Sequence, residues 1–553
     1  MTEKLKKYRP EIAAMILWLA GAVTVSVFHE PWFDEIQAWQ IARTATWHDL
    51  FFEVPHSECH PILWHLILRP FAMAGLPFEP AIKTVNIAVT GTACGLILFG
   101  TRLPRFVRLL LPFTFMIFYQ TAVVNRCYCL LFLGFTVLGI LRPERDSKPL
   151  PYVITMAFMC LTHIMGVMMC GLICVIWVTE IVRGHAADKN SGNILKDRRV
   201  PPLAVLFVLA VAVIIAVFPS TENTNFDSDT ALPSFGRVIA LSGNFISLPF
   251  DATFCPTLRT AGTGLYLLFF VLINAFMVVF CRKKRCTAEY FVPYLVFSYF
   301  YAFVWSWEHM MQVYYYFLVY IFIAFAGENY ETSKELLGKL HDERLKKGFT
   351  AVAAVLFLLM PASAAASSAS EIKRTYFDAR PVAEFIKDNG LEDLRIFSMW
   401  KVGTSQSHGR HDTDQQPDEP DPYKDIDVRC NPYATTLGPY FDHQVISNNY
   451  DPGHDRWYIT HKRTSEEDVK NCYEQLSEQP YPDMIIGNMS VLDTIFGEDE
   501  VKKHRFKMVY RCTDYFPWKF SSMSKSSVTV WLRDDLLDRY NLHEVPPDYN
   551  EIT

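Results

Sequence analysis

Uncharged apolar runs recur along the first two thirds of this 553-residue chain, and they leave few folds open to it. They cover residues 12–28, 84–101, 109–125, 127–141, 150–179, 200–221, 261–281, 290–307, 310–327 and 349–370. A helix needs about 20 apolar residues to cross a bilayer, so runs of roughly 18 or more read as spans. Hydrophobic residues make up 51% of the chain and come in blocks, not in an amphipathic spread. The run at 150–179 is long enough for two short helices with a break near Thr162 and His163. The expected fold is a polytopic α-helical membrane protein.

The cations sort onto alternate connections. Lys4, Lys6, Lys7 and Arg9 precede the first run; Arg102, Arg105 and Arg108, then Arg142, Arg145 and Lys148, follow later ones. Further clusters fall at 183–199, 282–285 and 334–347. The remaining connections are poor in cations, with Arg126 in a short one and Arg237 and Arg259 in a longer one. The positive-inside bias places the rich set in the cytoplasm. Parity then bears on residues 60–74, which look apolar but carry His65, Arg69 and Pro70 in their middle. Counting them as a span would move Arg102–Arg108 outside and invert every later loop. An Arg at the bilayer centre also costs about 2.5–3.5 kcal/mol on insertion scales. The segment is expected to lie on the outer face as a helix opened by Pro61. About eleven spans result, with the N-terminus inside. A cleaved signal peptide ending at Ala20-Gly21-Ala22 is the alternative for the first run, but the apolar stretch continues to Phe28 and reads as an anchor.

Beyond about residue 370 charge and Pro rise. Strand-like segments at 394–400, 444–447, 483–487, 506–511 and 527–532 alternate with helix-like ones. Residues 1–370 are read as the membrane domain, with an outer loop over 29–80, and 371–553 as a C-terminal α/β extracytoplasmic domain large enough to bury a core. Residues 403–425 are polar; His408, His411, Asp412 and Asp414 there fit a solvated loop better than a metal site. Most of the thirteen cysteines lie in or beside apolar runs as small fillers. Cys430, Cys472 and Cys512 fall in an oxidising space, where one disulfide is expected without the pair being deducible. The net charge of −6 lies mostly in the C-terminal third and says little about partners. No internal repeat supports an inverted-repeat transporter.

Chemistry concentrates just past the first run. Residues 29–43 read His-Glu-Pro-Trp-Phe-Asp-Glu-Ile-Gln-Ala-Trp-Gln-Ile-Ala-Arg, an acidic pair beside tryptophans at a membrane surface. Three further motifs follow in order: Glu58-Cys-His-Pro-Ile-Leu-Trp64, Tyr119-Gln-Thr-Ala-Val-Val-Asn-Arg-Cys-Tyr128 and Thr162-His-Ile-Met-Gly166. Together they resemble bacterial membrane glycosyltransferases of the GT-C class, relatives of protein O-mannosyltransferases and of the lipid A aminoarabinose transferases. The resemblance covers roughly the first 180 residues. It implies an inverting transferase of the bacterial inner membrane that moves a sugar from a polyprenyl-phosphate carrier to a glycan, lipid or protein acceptor outside the cytoplasm, with no nucleic-acid partner. It also implies that the first outer loop lies as interfacial helices and carries the catalytic acid. Asp34 matches the family's catalytic carboxylate, with Glu35 its neighbour.

A polyprenyl phosphate leaves readily, so transfer needs one general base for the acceptor hydroxyl, unlike the acid and base of hydrolases. The competing reading of Asp34 is a helix cap, with Gln37 completing a capping box. The leaving phosphate needs a cation. Arg126 is the leading candidate because guanidinium grips phosphate with two prongs; snorkelling is its alternative. Arg69 and Arg43 are weaker candidates. Glu58 and His60 are expected to line the same outer pocket, with a helix start as the alternative role of His60. His163, near the outer end of a span, reads as a substrate-site residue or as one paired to a neighbouring helix, and Glu308 with His309 forms another outer turn. Members of the class tend to have Arg before that last His, so Glu308 is a departure that favours an acceptor or metal contact there. Metal-dependent members carry acidic residues in the loop that here spans 119–128, which has none. A divalent ion wants several carboxylate oxygens, and Asp34, Glu35, Glu58 and Glu308 supply them only by converging. Metal-independent transfer without a cofactor is the expectation. A transporter or flippase of lipid-linked sugars, or a non-catalytic envelope assembly protein, are the rival readings.

Overall fold

The computed structural model describes residues 6–187, 193–219, 235–254, 263–304, 310–326, 343–398, 401–402, 426–427, 431–449, 457–460, 465–487, 492, 495–515 and 527–546. The helices used below are α1 (Arg9–Phe28), α2 (Phe33–Thr44), α3 (Leu63–Met73), α4 (Phe78–Gly95), α5 (Tyr128–Leu141), α6 (Pro149–Thr162), α7 (Ile164–Ala187) and α8 (Val200–Val217). They continue as α9 (Phe235–Thr253), α10 (Thr263–Lys284), α11 (Thr287–Tyr299), α12 (Met311–Ala326), α13 (Glu343–Lys373) and α14 (Ala379–Asp388). Among the described residues five helices are long and apolar enough to cross a membrane: Arg9–Phe28, Phe78–Gly100, Ile164–Ala187, Val200–Val217 and Gly264–Lys284. The chain is a helical membrane protein.

Two sets of contacts show which ends share a side. Arg105 and Arg108 reach Glu11 at the start of α1, at 2.8 and 3.5 Å. Lys83, early in α4, donates to the His29 carbonyl just past the end of α1 at 2.8 Å. Hence α1 and α4 each run once between the two ends, and residues 29–83 stay at one of them. The α3 helix within that stretch has 11 residues, about 16 Å at 1.5 Å per residue, half of what a span needs. It starts at Leu63, so Pro61 stands ahead of its first turn and does not open it. Its apolar face packs with α2 and α4 through Trp39, Trp64, Leu68 and Ile82.

The run at 109–125, expected as one span, is not one helix. A short helix over Arg105–Leu110 meets Pro112, Thr114 turns extended, and one wide turn covers Phe115–Tyr119 before the chain goes irregular. Residues 115–125 are all buried nonetheless. Such backbone survives in a membrane protein only when protein groups satisfy it. Here Asn86 of α4 donates to the Thr121 and Ala122 carbonyls, at 2.8 and 3.0 Å. The run at 150–179 does divide as expected. Its break falls at His163, whose backbone is extended between α6 and α7. With 14 residues each, α5 and α6 are about 21 Å long, short of a full hydrocarbon thickness. At the far end Arg142 and Arg145 meet Glu289, and Arg199 meets Asp146. One helix was not anticipated: α9 has Gly, Ser, Asn and Pro diluting its apolar pattern.

The C-terminal part holds a four-stranded sheet in the order β1 (Ile396–Ser398), β4 (Met484–Ile486), β6 (Ser527–Arg533), β5 (Phe506–Thr513). The β1 and β4 strands pair in parallel and the other neighbours antiparallel. A two-stranded ribbon joins β2 (Lys401–Val402) to β3 (Ile426–Asp427). The expected strand at 444–447 contributes only a bridge from Ile446 to Ile396. Val382 and Ile386 of α14 cover one face of the sheet. Cys472 and Cys512 are separate buried thiols, so the expected disulfide does not form between them; Cys430 lies outside the described residues. So do His408, His411, Asp412 and Asp414.

Candidate functional site

Helix α2 begins at Phe33, with extended Trp32 as its first flanking residue. Asp34 and Glu35 therefore fall in its first turn, where the helix dipole favours negative charge. The cap is not made by Asp34, as the alternative reading had it. Glu35 makes it, accepting from the Trp32 amide at 3.0 Å. Nor is Gln37 half of a capping box. It donates to Glu58 at 3.0 Å and to the Ile459 carbonyl at 2.7 Å, and accepts from the Ile459 amide at 3.0 Å.

With the cap supplied by its neighbour, the Asp34 carboxylate faces Arg126, Oδ2 to Nη1 at 2.8 Å. Asp34 stays one third exposed while Arg126 is 12% exposed. Burial alone would lower the Arg126 pKa, but Asp34 outweighs it and keeps the guanidinium charged. Trp32 and Tyr128 lie against the guanidinium, each ring centre 5.4 Å away. This is a walled cation and not a snorkelling one. Its Nη1 meets Asp34 at close range yet has no aligned acceptor among the described residues.

Two histidines complete the group. The rings of His60 and His163 stand 4.3 Å apart, and Tyr128 is 5.1 Å from His163. The His163 Nδ1 accepts from the Met165 amide at 3.0 Å, so the neutral ring carries its hydrogen on Nε2. Burial pushes His60 down to about 4, with Arg126 adding to the shift, so it is neutral at pH 7. The chain enters His60 through Cys59, whose φ of 54° is left-handed, a conformation uncommon for a residue with a side chain.

Not every expected residue joins the group. Glu58 accepts from Gln37, whose other partners are the Ile459 backbone groups. Arg69 does not: it donates to the Ala42 and Ala45 carbonyls at the C-terminal end of α2 and lies over Trp47. Arg43 donates to the Gly438 carbonyl and faces Trp457. Glu308 and His309 lie outside the described residues. Among the described residues no group of three or more His, Cys, Asp or Glu has the arrangement to hold a metal ion.

Glu35 is not at the surface of the site but under it. It is fully buried and accepts from the Asn125 amide at 2.6 Å, the Asn125 side chain at 2.8 Å and His29 Nε2 at 3.0 Å. On its other side His29 Nδ1 lies 2.6 Å from Glu371, which also accepts from Tyr119. Burial alone would lower the His29 pKa; the two carboxylates reverse that and raise it to about 10. Burial would also raise the Glu35 pKa, and His29 with the two amides pulls it below the usual value. A second cluster lies alongside: Arg380 bridges Glu30 at 2.6 Å and Glu79 at 3.1 Å, and Tyr440 donates to Glu79 at 3.0 Å. Sequence reasoning singled out none of His29, Glu30, Glu79, Asn125, Glu371 and Arg380. The signal for His29 and Glu371 was available, since both are ionisable residues at the ends of apolar runs.

Comparison of the chain with protein-family models and with curated proteins finds no match.

Proposed function

We propose that this protein is an inverting glycosyltransferase that moves a sugar from a polyprenyl-phosphate carrier to an acceptor at the outer face of a bacterial inner membrane. The reading includes about eleven spans, a cytoplasmic N-terminus and an extracytoplasmic C-terminal α/β domain. The observation that carries it is the pairing of Asp34 with Arg126, walled by Trp32 and Tyr128 and neighboured by two histidines whose rings lie 4.3 Å apart. A carboxylate to take a proton and a guanidinium to hold a phosphate are what such transfer requires. In the resting state each neutralises the other. An arriving carrier phosphate competes with Asp34 for Arg126 and releases the carboxylate to accept the proton of an acceptor hydroxyl. The sugar's anomeric carbon then exchanges its bond to phosphate oxygen for one to the acceptor oxygen, and the phosphate departs on Arg126. Neutral His60 and His163 are suited to hydrogen-bond sugar hydroxyls.

A second reading, a transporter of lipid-linked sugars, draws on the partly buried Arg142 and the buried Arg145 and Glu289 at the opposite end of the helices. Ionisable groups at both ends are what a translocation path would use. Those charges are mutually paired, which favours a structural clamp. The test is transfer of label from a polyprenyl-phosphate sugar by the purified protein in proteoliposomes, with Asp34→Asn beside it. Covalent label in the acceptor fraction, lost in the variant, is expected. Label that crosses the bilayer still attached to its carrier would overturn the reading.

A further inference from the structure

We propose that His29 is a positioning residue: clamped between Glu35 and Glu371, it holds the helix bearing Asp34 in register with the segment bearing Arg126. This rests on the glycosyltransferase reading for its purpose but on geometry for its evidence. Asp34 and Glu35 are neighbours on α2, and Asn125 and Arg126 are neighbours on the irregular segment. Two rungs therefore join the same two pieces of chain. The outer rung, Asp34 to Arg126, is partly exposed and must open whenever an anion takes the guanidinium. The inner rung, Glu35 to the amide and side chain of Asn125, is fully buried. If the outer rung opens in each cycle, the inner one alone keeps base and cation aligned.

His29 is what makes the inner rung dependable. Glu35 without a cation would be a buried uncompensated charge and would take up a proton, losing acceptor strength toward Asn125. The groups facing His29 are Glu35, Glu371 and the Tyr376 ring, whose centre is 4.7 Å from its own; Lys83 binds its carbonyl. Glu371 stands near the end of α13 and is itself fixed by Tyr119. The clamp thereby ties the first loop, the irregular segment and the last long helix together beneath the site.

The test uses full-length protein in nanodiscs and a readout that needs no substrate. Cys127 is buried beside Arg126, and Cys472 is buried in the C-terminal part far along the chain. Methyl methanethiosulfonate labelling, followed by mass spectrometry, should leave both thiols protected in the wild type. In His29→Gln and in Glu371→Gln, Cys127 should label about tenfold faster or more while Cys472 stays protected. In the transfer assay His29→Gln should lower kcat about tenfold or more, the scale expected from misplacing a catalytic group, and change donor KM far less. Unchanged Cys127 protection in both variants overturns the proposal, and so does loss of Cys472 protection in both, which would mean global unfolding. A raised KM at unchanged kcat also overturns it. Absence of transfer by the wild type would sink the function and leave the thiol result to decide on the clamp.

Discussion

Removing the charge from Asp34 does two things at once, and they can be told apart. On the glycosyltransferase reading Asp34→Asn takes away the proton acceptor, so turnover should fall about a hundredfold or more, within the range for general-base loss. It also frees Arg126 from its neutralising neighbour, so the carrier phosphate should bind more tightly. Slower transfer with a lower donor Kd is the expected pattern in the labelled-sugar assay; slower transfer with weaker donor binding would mean that Asp34 holds the donor. Arg126→Ala should weaken donor affinity much more than acceptor affinity, and Arg126→Lys should restore only part, because a point charge does not reproduce a fork. The histidines predict a pH signature of opposite signs. His29 is raised to about 10, so between its unfolded value near 6.5 and pH 10 the folded state keeps a proton that the unfolded chain has lost. Stability falls across that window, and melting temperature should drop from pH 7 to pH 10 in the wild type but much less in His29→Gln. His60 and His65 are lowered to about 4 and about 3, so their contribution is lost as pH falls below about 6.5.

At the scale of elements, the break between α6 and α7 depends on one missing side chain. The Gly166 amide donates to the His163 carbonyl at 2.8 Å, and a Cβ on Gly166 would collide with the Met159 carbonyl. Gly166→Ala should destabilise the protein by about 1–3 kcal/mol, the usual scale of overpacking, and shift His163 from His60. Gly171, in the same helix, has open space at its Cβ position, so Gly171→Ala should leave the melting temperature unchanged or slightly higher. Much at this scale was legible in the residues. The apolar runs mark the helices, and Thr162 and His163 mark the break because a polar pair interrupts an otherwise continuous run. The segment at 109–125 was misread because its composition is that of a span. Its irregular path is stabilised by Asn86 and by Tyr316 meeting Thr121, partners that come from α4 and α12. A run's own residues carry no trace of such distant donors. The inner half of the site was harder to read: Glu35, His29 and Asn125 sit in the same motifs as Asp34 and Arg126, but the role of Glu35 depends on its meeting His29 and Asn125, which no run of residues displays.

At the scale of the whole molecule, the C-terminal part bears on the first loop. Gln37 binds both backbone groups of Ile459, and Arg43 reaches Gly438. This contact joins the two regions that the composition change near residue 370 separates, and it was invisible in the sequence because backbone atoms supply half of it. It also makes the expected topology testable on exposed positions at the two ends. Cysteine in place of Glu384 should react with an impermeant maleimide on intact cells, and cysteine in place of Lys196 only after permeabilisation. The reverse pattern would invert the protein and move the site to the cytoplasm. The bond from His29 to Glu371 joins residues 342 positions apart. At ribosomal speeds of about 5–20 residues per second, roughly 17–70 s separate the synthesis of the two partners. Throughout that interval His29 and Glu35 wait in the membrane without the second carboxylate. On the glycosyltransferase reading, a nascent chain stopped short of residue 371 should hold most of its helices and still be inert, so that activity would begin only once α13 is complete.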